Sequence, residues 1–412
     1  MSKLQELIQR LCPDGVEYKK LGEVLEYEQP TKYIVKSTEY DDSYSIPVLT
    51  AGQSFILGYT NEQKGVFDAS KDNPVIIFDD FTTSFHWVDF PFKIKSSAMK
   101  MLRPKDDSIN FKYIHYAMQC IGFVPGEHTR YWISKYSMFT IPVPPLEVQE
   151  EIVRILDRFS DYAAELQAEL QARKEQYEYY RNLLLTFNPA GCAGEADDEQ
   201  EGSVTTWGGH SYPIQRKTMG EVGTFIRGNG LQKKDFTESG VGCIHYGQIY
   251  TYYGTFTTET KSFVSEEFAK KLRKAQTGDL VIATTSENVE DVGKAVVWLG
   301  KDEIAISGDA YVYKHNQNPR YIAYLLQTDR FLAFKRMNVS GTKVTRISGD
   351  SLAKYPIPIP PLELQEKIVA ILDRFETLVN DLSEGLPAEI AAVKEQYEYY
   401  RNRLLTFKEK TA

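Results

Sequence analysis

Only four cysteines occur in 412 residues, Cys12, Cys120, Cys192 and Cys243, and no two stand close enough to form a CxxC pair. That spacing argues against a structural zinc site and against a disulfide framework, and it fits a reducing compartment. Long apolar runs are absent too. The N-terminal MSKLQELIQRLCPDG has no apolar core of signal-peptide length, and no run elsewhere approaches a membrane span. A cytoplasmic protein without a membrane segment is expected. Signatures of catalysis are also missing. No GxxxxGK[ST] phosphate loop occurs, Ser340-Gly341-Thr342-Lys343 being only a fragment of one, and Gly228-Asn229-Gly230 lacks the third glycine of a dinucleotide fingerprint. There is no HExxH, no nucleophile elbow, no paired Cys/His ligand set and no Asn-Pro-Pro-aromatic tetrapeptide of the adenine amino-methyltransferases. These absences favour a binding protein, with no metal and no cofactor of its own, over an enzyme.

Positive charge is scarce as well. The net formal charge of −9 is the wrong sign for a chain that grips a polyanion. The acid is not evenly spread. Residues 213–356 carry 20 basic and 15 acidic side chains, and 16–140 carry 14 and 16. Segments 141–187 and 357–407 each carry 5 basic and 9 acidic residues, and 188–212 has five acids and no base. The hydrophobic fraction of 42% and aromatic fraction of 13% are those of a folded chain, and the length suits two domains.

What the chain does have is a repeat. IPVPPLEVQEEIVRILDRF at 141–159 returns as IPIPPLELQEKIVAILDRF at 357–375, and KEQYEYYRNLLLTF at 174–187 returns as KEQYEYYRNRLLTF at 394–407. Fainter echoes precede both tails. Leu21-Gly22-Glu23-Val24 answers Met219-Gly220-Glu221-Val222, NFKYIHYAMQ answers NPRYIAYLLQ, and HTRYWIS at 128–134 answers TKVTRIS at 342–348. Each half is therefore a divergent body followed by a nearly invariant tail. That pattern implies one shared mechanical task and two separate specificities.

The tails carry apolar residues every three or four positions after a Pro-Pro step, which predicts long helices packed on each other as a coiled coil. Gly385-Leu386-Pro387 should break the second, and a tandem AELQ-AELQ at 164–171 lengthens the first by about one turn. The bodies read as mixed α and β, with strands near 44–50, 74–78, 92–95, 278–284, 294–299 and 310–314, and short helices capped by Asn110 and Asn318. Domain boundaries follow: a first body at 1–145, its helical tail at 146–187, an acidic flexible linker at 188–212, a second body at 213–361 and its tail at 362–407.

Polar clusters close two of these strands, DDFTTS at 79–84 and TTSEN at 284–288. Asp80, Thr82, Thr83, Thr285, Ser286 and Asn288 are of the types that read base edges, since acids accept from cytosine N4, amides pair with adenine and hydroxyls serve either base. Gln53 and Gln248 have the same standing. A turn that only caps its strand accounts equally for such residues. Thr129 and Arg130, with Lys343, Thr345 and Arg346, suit phosphate oxygens. Lys270, Lys271, Arg273 and Lys274 form a basic run expected on a helix, where a solvated face is the default.

The two tail motifs resemble the conserved helical regions of type I restriction–modification specificity subunits, and the resemblance covers the whole chain. It implies two α/β target recognition domains separated by an antiparallel two-helix coiled coil, and a non-catalytic role in recognising double-stranded DNA. It also implies partners: two methyltransferase subunits using S-adenosylmethionine, and two restriction (motor–nuclease) subunits using ATP and Mg. An enzyme with duplicated domains and a coiled-coil adaptor for proteins remain the competing classes.

Overall fold

The computed structural model describes residues 2–50, 55–187, 203–341 and 343–410. The first half contributes strands β1 (Leu25–Glu28), β2 (Ile46–Leu49), β3 (Val75–Asp79), β4 (Phe85–Val88), β5 (Lys93–Ile94) and β6 (Met99–Pro104), then helix α1 (Phe111–Met118) and the long helix α2 (Leu146–Thr186). The second contributes β7 (Gly223–Arg227), β8 (Val241–Ile244), β9 (Leu280–Ala283), β10 (Thr285–Ser286), β11 (Ala295–Trp298), β12 (Ile304–Ile306), β13 (Ala310–His315), α3 (Pro319–Leu325), β14 (Thr345–Arg346), α4 (Leu362–Asn380) and α5 (Leu386–Leu404). The mixed α/β architecture with long helical tails is the one expected.

The repeat is deeper in three dimensions than in sequence. The first body forms an antiparallel sheet in the order β1-β6-β3-β4, and the second repeats it as β7-β13-β9-β11. Each body adds a smaller sheet built on a parallel pair, β2 with β5 and β8 with β12. The central strands VIIFD and LVIA are buried along their whole length, which is why they are short unbroken apolar runs.

The chain divides into two compact units, one of residues 1–167 with 389–412 and one of 168–388. Both α2 and α5 therefore contribute to more than one unit. In the first unit, Asn110 caps α1 by accepting from the backbone N–H of Lys112 and Tyr113. Behind this cap sits Gln149 of the tail, 1% exposed. Its Oε1 accepts from Asn110 N at 2.9 Å and its amide donates to Pro144 O at 2.7 Å. Asp157 accepts from the Tyr116 hydroxyl and pairs with Lys112 at 2.9 Å. The far end of the other tail closes the same helix: Tyr397 and Arg401 both donate to Gln119 Oε1, at 2.7 and 3.2 Å. The tails pack here through Phe159 against Tyr400, ring centroids 5.5 Å apart.

The second unit repeats these contacts. Asn318 caps α3, and the fully buried Gln365 accepts from Asn318 N at 3.0 Å while donating to Pro360 O and Gln317 Oε1, both at 2.8 Å. Asp373 accepts from Tyr324 and pairs with Arg320. Tyr177 and Tyr180 of α2 stack on Phe375 of α4. Asn182 exchanges hydrogen bonds with Asp329, at 3.0 and 2.9 Å.

The expected break in the second tail falls at 381–385. Asp381 Oδ1 accepts from Ser383 N and Glu384 N, and a Cβ on Gly385 would lie 2.4 Å from Thr377 O. Two expectations need correction. Residues 203–212, assigned to the linker, belong to a hairpin: Ser203–Trp207 pairs with His210–Thr218 across Gly208-Gly209, whose φ values of 57° and 81° make the tight turn that only glycine enters freely. The remainder of that linker, 188–202, lies outside the described residues. The basic run at 270–274 is not helical either. A one-turn helix, Glu266–Ala269, ends before it, and Lys274 already belongs to the short strand Lys274–Ala275.

Replacing Gln365 by Ala leaves the N–H of Asn318, the cap of α3, and two acceptors, Pro360 O and Gln317 Oε1, without that partner. The expected cost is about 2–3 kcal/mol, read as a lower urea midpoint; an unchanged midpoint contradicts this account of the tail.

Candidate nucleic-acid interface

In the first unit, β3 delivers Asp79 into a tight turn. Its Oδ1 accepts from the backbone N–H of Phe81 and Thr82 at 2.7 and 2.8 Å, and its carbonyl accepts from Thr83 N at 2.9 Å. Thr83 closes the turn at φ 59°, a left-handed conformation that costs a β-branched residue about 1–3 kcal/mol. Thr82 is left exposed, its hydroxyl 2.8 Å from that of Ser84. A loop distant in sequence lies against this turn. Tyr131 N donates to Asp80 O at 2.8 Å, and Phe81 stacks on His128 at 4.3 Å with ring planes 6° apart. Thr129 and Arg130 are exposed on that loop.

Asp80 requires a correction. It is 1% exposed; one carboxylate oxygen accepts from Trp132 N at 2.8 Å, and the other meets the equally buried Lys100 at 3.1 Å. The carboxylate pins the loop to the strand end and presents nothing to a base edge. Thr83 is likewise buried, its role being the turn.

The second unit builds the matching feature from the matching segments. β10 pairs with β14, setting Thr285 opposite Arg346 and Ser286 opposite Thr345, and Ile347 N donates to Thr284 O at 3.1 Å. Ser340 and Arg346 exchange backbone hydrogen bonds at 2.9 and 2.8 Å, which folds the loop carrying Lys343 back on itself. Tyr250 donates its hydroxyl to Thr285 O at 2.9 Å, and burial pushes that phenol up, so it stays a donor at any physiological pH. Lys343, Arg346 and Asn288 are exposed, Ser286 and Thr345 half-buried, and Thr285 buried. The Asn288 side chain is engaged with Asp291, accepting from its N–H at 2.7 Å and donating to its carboxylate at 2.8 Å.

Gln248 also departs from expectation. Its Oε1 accepts from His245 N at 3.0 Å and its amide donates to Ser262 Oγ at 2.7 Å, so it caps a short helix, Tyr246–Thr251. Gln53 lies outside the described residues. The structure thus joins Thr82 to Thr129 and Arg130, and Ser286 to Thr345 and Arg346, and it withdraws Asp80, Thr83, Thr285 and Gln248 into supporting positions. The residues that hold the loops, Lys100, Trp132 and Tyr250, carry no local signal. The only hint was that HTRYWIS and TKVTRIS echo each other at the right distance from the strand ends.

Two bodies of one strand order, each ending in a pair of polar loops, are also where a family model matches. The type I restriction modification DNA specificity domain matches this chain twice, over 13–175 and 213–392. The chain belongs to that family. It is 38% identical over 421 residues to the specificity subunit of the type I restriction enzyme EcoR124I/EcoR124II of Escherichia coli, covering 99% of this chain and 98% of the relative. Among solved structures, a type I restriction–modification S subunit from M. genitalium shares the fold with a TM-score of 0.52 at 15% identity, covering 95% of this chain and 96% of that one. A chain from a type I restriction–modification system shares it at 0.53 and 19% identity, covering 96% and 98%. As a specificity subunit the protein is a DNA-recognition component, not a catalytic one. No helix among the described residues is long and apolar enough to cross a membrane.

Substituting Asp80 by Ala strands the buried Lys100 charge and frees Trp132 N. A loss of about 3–5 kcal/mol is expected, seen as a lowered urea transition, with the methylated sequence of surviving complex unchanged. An altered base preference at full stability contradicts the structural role.

Proposed function

We propose that this specificity subunit reads a bipartite DNA target, one half-site with each body, across a spacer that neither body reads. The observation that carries the reading is one strand order written twice, closing in loop pairs of different composition. In the first body the proposed contacts are Thr82, Thr129 and Arg130. In the second they are Ser286, Thr345, Arg346 and Lys343, with Asn288 at the rim. Lys343 and Arg346 are assigned to phosphate, since exposed basic residues on short loops position a duplex without discriminating its bases. The dissimilar loops call for dissimilar half-sites. The invariant tails suit seats for two subunits that methylate adenine N6 with S-adenosylmethionine, and for two motor–nuclease subunits driven by ATP and Mg, all in the cytoplasm. A methyltransferase must flip its adenine out of the stack, which is easier on a duplex already held.

The decisive experiment exchanges residues 16–140 for the first body of a relative with a different target and sequences the methylated sites. One half of the target should change and the other should persist; change in both halves, or in neither, overturns the assignment. The unbroken helix α2 passes through both AELQ copies. Deleting one copy removes roughly 6 Å of helix, at most about two base pairs at about 3.4 Å each; tilt between the helix and DNA axes takes part of that length, so the methylated target should keep its half-sites and lose one base pair of spacer. A fully active complex with its spacer unaltered contradicts the helix as ruler.

A further inference from the structure

We propose that the second unit carries a phosphate-binding shelf, distinct from its base-facing loops, and that this shelf supplies most of the chain's hold on the duplex backbone. The inference rests on the DNA-reading role proposed above and adds where the electrostatic grip lies.

The shelf is assembled from two segments far apart in sequence. Asn229, just past the end of β7, donates to Lys271 O at 2.9 Å and accepts from Arg273 N at 2.7 Å. That one side chain ties the loop 228–235 to the segment 270–273. The join gathers Arg227, Lys233, Lys234, Lys270, Lys271 and Arg273, every one exposed. Among the described residues none of the six makes an ion pair, whereas Lys274, Lys314, Arg320 and Lys367 of the same unit all do. Unpaired cations held together repel one another, and such a grouping persists when a polyanion neutralises it.

The shelf lies at the same end of the main sheet as the reading ribbon. Strand register places Arg227 opposite Tyr311 and Ala283 opposite Ala310, so β7 ends, β13 begins and β9 ends at one edge. The turn 307–309 links the two features there. Arg227 Nε donates to Gly308 O at 3.2 Å, Ile306 N donates to Arg273 O at 3.1 Å, and Thr284 N donates to Asp309 O at 3.0 Å. A duplex lying on the ribbon of β10 and β14 thus has basic side chains beside it on the neighbouring loops. The nearby His245 is kept neutral by burial and by Lys233, and its Nδ1 accepts from Gly247 N, so the positive charge there is carried by Lys and Arg, independent of pH near neutrality.

Among the described residues, the matching loop of the first unit does not build this feature. Its equivalent loop after β1 is the turn Pro30–Tyr33, whose Lys32 is paired with Glu28 at 2.6 Å. The two bodies therefore divide the work unequally: both read bases, and the second carries most of the hold on the backbone.

The test is binding of the full chain to a labelled duplex bearing its methylation target, and to a scrambled duplex, over a range of salt. Replacing Lys233, Lys234, Lys270, Lys271 and Arg273 together by Ala should lower the slope of log affinity against log salt by about three to five. Affinity should fall at least about tenfold at low salt, alike on both duplexes, with the urea midpoint unchanged. The milder pair Lys233→Gln and Lys234→Gln should lower the slope by about two, and Lys32→Ala in the first unit should leave it as it was. A variant that binds DNA with the wild-type slope overturns the shelf and leaves the reading role standing. A wild-type slope combined with lost assembly of methyltransferase subunits assigns the patch to a protein partner and equally overturns it. A wild-type chain without salt-dependent DNA binding overturns both.

Discussion

Everything in each half hangs on a buried glutamine. Gln149 and Gln365 sit at the start of a tail helix and satisfy, with one amide each, the backbone N–H of the asparagine that caps a body helix and a carbonyl of the Pro-Pro step. A buried amide with all its bonds made is stabilising only as a set, because losing one partner leaves the others stranded in a place water does not reach. Tyr113 and Tyr321 add the same kind of bond, each donating to a proline carbonyl at 2.9 Å. Most of these contacts end on backbone atoms. A body is therefore free to change most of its side chains without disturbing its seat, while the tail is not. That asymmetry is a physical reason for divergent bodies on nearly identical tails.

The net negative charge has a related explanation. Acids concentrate on the tails, where Asp157 and Asp373 receive tyrosine hydroxyls and basic side chains from α1 and α3. Others, such as Glu151, face cations; hydrogen bonds from Arg154 hold its carboxyl down to about 2. These acids lock helices to bodies, and the sum over the whole chain says little about the charge at either reading end. Segment counts were a better guide than the total, and the surplus of base in the second body shows itself as exposed cations with no acidic partner.

Much of the fold was legible in the sequence because its signals were local. Pro-Pro steps, asparagine caps at 110 and 318, unbroken apolar strands and Gly385-Leu386-Pro387 each act within a few residues. The Gly208-Gly209 hairpin was legible and misread, since its acidic upstream neighbours masked a short strand of Val and Thr. The site was harder. Loop residues were singled out by type and position, yet type alone does not tell an exposed Thr82 from a buried Asp80. That difference is made by Lys100 and Trp132, one twenty and the other more than fifty residues away. Gln248 failed for the opposite reason, being claimed by its own helix start, the very role its spacing from His245 permits.

The first unit is discontinuous and the second is not. Residues 168–388 form one stretch, whereas the first body needs 389–412, with Val16 N donating to Lys408 O and Lys410 N to Val16 O at 2.9 Å. On the ribosome the second unit can complete itself while the first still lacks its closing helix. The half made earliest is finished last. Its nascent surface around Gln119 stays open to solvent for the time it takes to synthesise an entire further unit, at about 5–20 residues per second.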